Sequence, residues 1–434
     1  MTMCRGAGQP LADDYVIVCA SPDPNEVFCY SPGLARLPSG RLVATTDWGG
    51  PGVVGLVGPK VGIPDRGRMW QGRIYTSDDG GHTWDFRAYY PFMHARPFVA
   101  GGTVYVLGHA RDLAIVRSDD DGATWSDPAF LTEGEFWHQA PCNVHIANGC
   151  VYLVMEKRVT RDIMTWYVGE MAPVLMRAVL DADLLDRASW TFAAELSFRD
   201  VMPNVEQDPK IDYFGVPFWD CPYPAGQNVA PGRNCAPIGW LETNVVQFVD
   251  PDHLWTDTTG RTLHLWMRAH TGGTGHACIA KVVEQGDAPG NGPMVTMLER
   301  APSGKRMLYV PCPGGQMKFH VVYDEVSRLY WLLSTQATDS MTRPDRLPDN
   351  RFNLPNNERR RLQLHFSKNM IDWCFAGLVD TGPVEHASRH YASMVIDGDD
   401  LAILSRSGDE QAHSAHDGNL ITFHRVRDFR GLVY

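Results

Sequence analysis

Five histidines stand at or near the predicted beginnings of repeated β segments: His94, His109, His138, His145 and His386. A histidine side chain can accept or donate a proton near neutral pH, so it can serve as a general acid or base. The strongest local signals are His94-Ala95-Arg96-Pro97 and Trp137-His138-Gln139. A single histidine is more often structural, so the elements that position these side chains must decide between the two interpretations.

A repeated octapeptide indicates what those elements are. Ser77–Trp84 and Ser118–Trp125 both read S-x-D-x-G-x-T-W and begin forty-one residues apart, and a degraded copy runs from Ser367 to Trp373. Asp and Ser side chains bind nearby backbone amides and fix a turn, Gly supplies a positive φ, and Trp buries a large apolar face. Each copy therefore predicts a hairpin corner, and a period of about forty residues predicts a β-propeller.

The predicted fold is all-β, with residues 1–434 forming a single six-bladed β-propeller domain. Residues 14–20 read as a strand, and we expect this terminal strand to complete the last blade. Residues 199–239 interrupt the repeat with a long stretch rich in Pro, Asn, Asp and aromatic residues. Connections of this length are usually functional, so the stretch is predicted to form an inserted cap.

Composition limits the classes of partner. The net charge of −12 argues against nucleic-acid binding, which needs a basic surface. No apolar run approaches the eighteen or so residues of a membrane span, so no membrane partner is expected. The first ten residues have no signal-peptide core, which predicts a cytoplasmic protein as written, with export still open if a signal was removed.

The ten cysteines are scattered, without a C-x-x-C pair or zinc spacing. We therefore expect no metal and no cofactor, and mostly free thiols. Cys221 and Cys235 bracket a loop and could pair in an exported protein.

The repeated octapeptide resembles the Asp-box (BNR repeat) of the sialidases, a superfamily of β-propeller glycosidases. Those enzymes use a Tyr nucleophile activated by a Glu, with an Asp as acid and base. By position, the resemblance implies Tyr391 as nucleophile, Glu242 as its base and Asp65 as the acid/base residue. The chemistry is coherent, because a carboxylate can take the proton of a phenol, and sialidases depart from the usual pair of carboxylates.

The family also clamps a substrate carboxylate with three arginines, whose planar guanidinium groups match a carboxylate. The resemblance implies Arg268 and one of Arg359, Arg360 and Arg361, with Arg361 preferred, for two of these positions. The first family arginine is missing, because this chain has Tyr30-Ser31-Pro32 there. Three residues are candidates to replace it: Arg66, Arg68 and Arg96.

The resemblance implies a carbohydrate substrate and a sialidase-like exo-glycoside hydrolase that cleaves a terminal, acidic sugar. The missing arginine leaves another acidic or a neutral sugar open. Two alternatives also remain. One is a propeller polysaccharide lyase or glycosidase centred on His94 or His138 and acting on uronate-containing glycans. The other is a carbohydrate-binding propeller without catalytic activity.

Overall fold

The computed structural model describes residues 9–63, 68–164, 166–203, 209–212, 228–230, 233–235, 238–270, 275–340, 342, 346–347 and 358–434. Nearly all of the regular structure is antiparallel β-sheet. The chain divides into two compact units. The first lies within residues 1–130, 318–336 and 358–434, and the second within residues 131–317 and 337–357. The prediction of one domain over residues 1–434 stays a prediction.

The first unit is built from sheets that we number by their place along the chain. Sheet 1 contains Phe28–Arg36, Leu42–Gly49, Arg68–Ser77 and Asp85–Tyr90, with Val61–Ile63 added beside the third strand. Sheet 2 contains Met93–Ala100, Thr103–Ala110, Asp112–Ser118 and Ala129–Phe130. Sheet 5 contains His320–Asp324, Leu329–Thr335, Arg361–Ser367 and Cys374–Thr381. Sheet 6 contains Arg389–Asp397, Asp400–Ser407, Leu420–Val426 and Ala12–Ala20.

The second unit contains sheets 3 and 4 and smaller elements. In sheet 3, Trp137–His138 and His145–Ala147 pair with Cys150–Arg158, followed by Met171–Val179 and Thr191–Phe192. Sheet 4 contains Gly239–Val246, Thr262–His270, His276–Glu284 and Met294–Met297, with Tyr309–Pro311 beside the third strand. The smaller strands are Ile211–Asp212, Asn228–Ala230, Arg233–Cys235, Glu299–Arg300 and Arg306–Met307.

Helices are few and short. The one described α-helix is Phe198–Val201, whose N-terminus is capped by Ser197 and Asp200 in a reciprocal pair of hydrogen bonds. Among the described residues, 3₁₀ helices span Pro51–Gly55, Val168–Glu170, Arg187–Ser189 and Phe429–Leu432. In the described part of the chain no helix has the length and hydropathy needed to cross a bilayer.

The chain terminus completes sheet 6, as the sequence predicts. Ala12–Ala20 pairs antiparallel with Leu420–Val426, so strands from both ends of the chain lie in one sheet. Within the first unit, apolar side chains pack between sheets 5 and 6, between sheets 6 and 1, and between sheets 1 and 2. Burial of apolar surface between successive sheets is therefore what holds this unit together.

The two full octapeptides form the same turn between the third and fourth strands of sheets 1 and 2. In sheet 1, the Asp79 carboxylate accepts from the Thr83 amide at 2.9 Å and the Thr83 hydroxyl at 2.7 Å, and Ser77 Oγ accepts from the Gly81 amide at 2.8 Å. In sheet 2, Asp120 accepts from Thr124 at 2.8 and 2.6 Å. Hydrogen bonds to the ionised carboxylates hold the pKa of both aspartates down, to about 2 for Asp120.

The degraded copy occupies the same place in sheet 5 and is one residue shorter. Asn369 replaces the aspartate and accepts from the Asp372 amide at 2.9 Å. Met370 takes the glycine position with a φ of 64°, and its amide donates to Ser367 Oγ at 2.8 Å. The turn therefore persists because an amide oxygen can replace the carboxylate as acceptor.

Only parts of the predicted cap over residues 199–239 are described. Ile211–Asp212 pairs in parallel with Arg306–Met307, and Asn228–Ala230 forms a hairpin with Arg233–Cys235. Cys221 lies outside the described residues, so its pairing with Cys235 stays a prediction. The cap stays a prediction.

Gly81 and Gly102 offer a matched test of how the octapeptide turn stabilises the first unit. Both have positive φ, 95° and 82°. A Cβ at Gly81 would stand 2.2 Å from the Phe423 ring of sheet 6, whereas a Cβ at Gly102 would meet nothing within 4 Å. We expect Gly102→Ala to cost about 1–2 kcal/mol from backbone strain alone. Gly81→Ala adds overpacking and should cost roughly 2–5 kcal/mol in total.

Chemical denaturation followed by tryptophan fluorescence measures both free energies of unfolding. Equal losses in the two variants would contradict close packing of this turn against sheet 6.

Candidate functional site

A β-bulge interrupts the first strand of sheets 1, 2, 4 and 6 at equivalent places. In each, two residues of the first strand lie opposite one residue of the second. The first residue of each bulge has a positive φ: Ser31 (45°), His94 (53°), Glu242 (60°) and Tyr391 (49°). Left-handed backbone is unfavourable for such residues and is found preferentially where a side chain must be re-aimed for function.

Each bulge also fixes a partner position on the second strand, opposite the residue that precedes the bulge. The residues at this position are Asp47, His109, Arg268 and Arg406. In three sheets the bulge residue and this partner are in contact. His94 Nδ1 lies 3.0 Å from His109 Nε2, Glu242 Oε2 lies 3.3 Å from Arg268 Nη1, and the guanidinium carbon of Arg406 lies 5.4 Å from the Tyr391 ring centre.

Side chains from a neighbouring sheet, or from the segment that precedes it, bind backbone carbonyls within the bulges. In three sheets, the residue after the positive-φ position accepts such a bond with its carbonyl oxygen. The Ala95 carbonyl accepts from the Thr45 hydroxyl at 2.7 Å, the Pro32 carbonyl accepts from the Ser393 hydroxyl at 2.8 Å, and the Ala392 carbonyl accepts from Lys318 Nζ. These bonds supply the partners that buried backbone groups require. The bulges are therefore held by the packing of one sheet on the next.

Buried carboxylates bind two of the bulge amides. The Asp47 carboxylate accepts from the His94 amide at 2.6 Å, and that of Glu156 accepts from the Thr243 amide at 3.1 Å. Burial raises the pKa of Asp47 well above its ordinary value, and the His94 amide opposes that rise.

Two arginines flank Tyr391. The guanidinium carbon of Arg359 lies 5.3 Å from the Tyr391 ring centre, close to the 5.4 Å of Arg406, and both arginines are buried, at 4% and 3% exposure. Arg359 also contacts His390, with Nη1 2.8 Å from Nδ1. The half-buried ring of Tyr391 thus lies beside two cationic side chains.

Tyr30, which the sequence predicts at the place of the absent family arginine, lies near Arg406. Its ring lies 4.0 Å from the guanidinium carbon of Arg406, and its hydroxyl donates to Asp417 Oδ1 at 2.5 Å. Burial and the Asp417 charge raise the pKa of Tyr30 far above 10, so the phenol stays protonated and acts as a donor. Asp417 Oδ1 is also 2.7 Å from His416 Nδ1.

Glu242 and Arg268 form a buried ion pair in sheet 4, with exposures of 2% and 5%. Arg268 Nε also donates to the carbonyl of Gln316 at 2.9 Å, which fixes the plane of the guanidinium. A buried pair of this kind costs desolvation energy and adds little stability, so a functional role explains it better than stability does.

The two predicted histidine sites, at His94 and His138, differ in their surroundings. His94 stands at a bulge beside His109, with Trp70 at 5.8 Å between ring centres. His138 is buried in the second unit against Trp166, with ring centres 5.3 Å apart.

The remaining predicted residues lie as follows. Arg361 is partly exposed and contacts Glu358 at 3.7 Å, and the structure brings Arg359, not Arg361, to Tyr391. Arg68 is exposed, and its charge acts on Tyr30. Arg96 is buried, and its charge acts on His320. Asp65 and Arg66 lie outside the described residues.

Sequence reasoning missed Arg406, His416 and Asp417. Arg406 lies near the end of the strand that contains the apolar run Leu401–Leu404, and Arg268 lies near the end of the largely apolar strand Thr262–His270. Applying the same pattern to every second strand would have found it. His416 and Asp417 lie in a connection without a repeat signal.

The comparisons with known proteins concern the whole fold. A Hadza microbial sialidase matches with a TM-score of 0.54 and 15% identity, over 95% of this chain and 68% of that one. An intramolecular trans-sialidase from Ruminococcus gnavus matches with a TM-score of 0.51 and 12% identity, over 98% and 100%. The chain has the fold of the sialidases.

The sialidase fold is shared with other glycosidases. An α-L-arabinofuranosidase from Fusarium graminearum matches with a TM-score of 0.50 and 11% identity, over 96% of this chain and 98% of that one. The sequence itself matches no family model and no curated protein. The fold is therefore settled by structure, and the chemistry must be argued from the site.

Thr45 and Thr335 test how firmly the bulge of sheet 2 is held. Both are fully buried. Thr45 donates to the Ala95 carbonyl, whereas the Thr335 hydroxyl has no hydrogen-bond partner within the described residues. Thr45→Val should cost about 1–3 kcal/mol because it leaves a buried carbonyl without its donor. Thr335→Val should be neutral or stabilising, because it removes an unsatisfied hydroxyl.

Urea denaturation of the two variants and the parent measures the difference. A Thr45→Val protein as stable as Thr335→Val would argue against hydrogen bonding as the restraint on the bulge.

Proposed function

We propose that the protein is a retaining exo-glycoside hydrolase that removes a terminal acidic sugar, with Tyr391 as the nucleophile. The observation that carries this proposal is the position of Tyr391 at a left-handed bulge, close to the buried guanidinium groups of both Arg359 and Arg406. A phenol avoids the repulsion that a carboxylate nucleophile would meet near an anionic substrate. The two arginines favour the phenolate and offer cationic partners to a sugar carboxylate.

The other roles are assigned by the same logic. Glu242 is the proposed base for Tyr391, since it occupies the corresponding bulge of sheet 4 and is already ionically paired with Arg268. Arg268, Arg359 and Arg406 are the proposed arginines of the site, with Arg359 preferred to Arg361. Asp65 stays the candidate acid/base residue, which would protonate the leaving group and later take a proton from water. The proposed architecture is a six-bladed propeller, with the bulged first strands lining its axis.

A second function has one observation in its favour. His94 and His109 form a close pair at a bulge equivalent to that of Tyr391. Such a pair could transfer a proton in the histidine-centred lyase or glycosidase considered above. A lyase would release an unsaturated product that absorbs in the ultraviolet, and a hydrolase would not.

Turnover on a panel of aryl glycosides tests the main proposal. The panel contains an α-sialoside, a uronide and an α-L-arabinofuranoside, each with the same fluorescent leaving group. We expect turnover of an acidic member and a loss of at least about 10³-fold in kcat for Tyr391→Phe, since the phenol oxygen forms the covalent bond.

Tyr89→Phe is the matched control. Tyr89 is also half-buried and also lies near a guanidinium, with Arg73 at 5.2 Å, but it belongs to the fourth strand of sheet 1. Its activity should equal that of the parent. A parent that cleaves only the neutral arabinofuranoside would refute the acidic substrate, and an active Tyr391→Phe would refute the nucleophile.

A further inference from the structure

Two cysteines of the first unit lie in the interface between sheets 6 and 1, and the proposed function uses neither of them. Cys19 belongs to Ala12–Ala20, the edge strand of sheet 6, and Cys29 belongs to Phe28–Arg36, the first strand of sheet 1. Both side chains pack in the apolar cluster between the two sheets, Cys29 fully buried and Cys19 half-buried. Both are free thiols.

The connection between these two strands folds back on itself. The Ser21 hydroxyl donates to the Val27 carbonyl at 2.6 Å, which closes the connection across its base. The segment that leads into the third strand of sheet 6 holds both ends. The Ser21 amide donates to the Asn419 carbonyl at 2.8 Å, and the Cys29 amide donates to the Gly418 carbonyl at 2.9 Å. The backbone beside each cysteine is therefore fixed.

Trp48 places an unpaired donor in the same interface. It lies directly opposite Cys29 in the ladder of sheet 1, so the two side chains share the face that packs against sheet 6. Trp48 is 4% exposed, and its indole N–H has no hydrogen-bond partner within the described residues. A buried donor without an acceptor is unfavourable. Negative charge on the Cys19 sulfur, or an oxygen bound to it, would supply an acceptor.

The groups around Cys19 favour its thiolate, the form of cysteine that reacts as a nucleophile. Hydrogen bonding from the Cys29 thiol is the largest influence on the pKa of Cys19 and lowers it, whereas burial opposes that change. The Trp48 indole, the Tyr75 hydroxyl and the charge of Arg73 lower this pKa further. The interaction with Cys19 and burial raise the pKa of Cys29 well above its ordinary value. Cys19 is therefore the thiol that ionises, and Cys29 keeps its proton.

We propose that Cys19 and Cys29 form a redox modification site, at which hydrogen peroxide converts the two thiols into a disulfide. The Cys19 thiolate attacks one oxygen of the peroxide, the O–O bond breaks, and hydroxide leaves, so that the sulfur becomes a sulfenic acid. The Cys29 sulfur then bonds to the Cys19 sulfur as the S–O bond breaks. The departing oxygen takes the proton of Cys29 and leaves as water.

The hydroxide of the first step takes up the proton that Cys19 released. The two thiols thus lose two electrons in total, and the peroxide is reduced to two molecules of water. A thiol reductant such as dithiothreitol reverses the change by exchange.

The disulfide ties the terminal strand of sheet 6 to the first strand of sheet 1. Ala12–Ala20 is held in sheet 6 by its pairing with Leu420–Val426. A covalent bond from Cys19 adds a second attachment, and it restricts the unfolded chain between the two cysteines. Oxidation is therefore expected to stabilise the closure of sheet 6.

Peptide mapping after oxidation tests the proposal. The purified protein is treated with a small molar excess of hydrogen peroxide, denatured, and alkylated with N-ethylmaleimide. Trypsin leaves both cysteines in one peptide, residues 6–36, and a second cleavage after Glu26 separates them. We expect this peptide to carry no alkyl group, and its two halves to stay joined until dithiothreitol is added. The Tm should rise by about 2–5 °C on oxidation and return on reduction.

Two variants identify the role of each thiol. Cys29→Ala removes the second thiol and should stop the reaction at the sulfenic acid, which dimedone then labels on Cys19. Cys374→Ala is the matched control, because Cys374 is also a half-buried free thiol of the first unit, in the fourth strand of sheet 5. It should form the disulfide as the parent does. Circular dichroism confirms that both variants are folded.

The result does not depend on glycoside turnover, so it is independent of the proposed function. A parent in which both cysteines remain open to alkylation after peroxide treatment, or pair only with other cysteines, overturns the proposal. A folded Cys29→Ala protein without a dimedone adduct on Cys19 refutes Cys19 as the thiol that peroxide attacks. A complete disulfide with an unchanged Tm refutes the stabilised closure of sheet 6.

Discussion

The left-handed bulges of the first strands are the constraint on which the candidate site depends. A regular strand points successive side chains to alternate faces, where they would pack between sheets. An extra residue with positive φ removes one side chain from that alternation, at a cost of about 1–2 kcal/mol of backbone strain. Four sheets have this feature at equivalent places, and three of the residues involved are His94, Glu242 and Tyr391. Hydrogen bonds from neighbouring sheets, such as that from Thr45, maintain the strain.

The surroundings of Tyr391 are locally positive, although the net charge of the chain is −12. Buried guanidinium groups are expensive to desolvate, and their retention beside Tyr391 is consistent with the acidic substrate of the proposed function. Tyr30 lies where the sequence predicts the first arginine of the sialidases, and its hydroxyl donates to Asp417. The substitution thus replaces one cation with a neutral donor that orients a carboxylate and, through it, His416. Under the proposed function, this change means that the site binds the carboxylate of its substrate differently from a sialidase.

The features that could be predicted best from the sequence are those that recur along the chain. The octapeptide turns and the pairing of the N-terminal strand in sheet 6 followed from local side-chain chemistry and period, and the comparisons confirm the sialidase-type fold. Tyr391, Glu242 and His94 could be selected because they begin blades. Arg359 could not be separated from Arg360 and Arg361, since orientation in a run of like residues depends on packing. Tyr30 contacts Arg406 and Asp417, which lie hundreds of residues away along the chain. No local sequence pattern predicts such contacts, so His416 and Asp417 were not found.

The central claim is that Tyr391 forms a covalent bond with the sugar. A difluorinated acidic sugar tests it directly, with one fluorine at the anomeric carbon as leaving group and a second on the neighbouring ring carbon to slow hydrolysis. Intact-mass measurement followed by peptide mapping locates the label. The account predicts one sugar per chain, on the peptide that contains Tyr391. A label on any other residue, or an unlabelled protein that still turns over the parent glycoside, would contradict it.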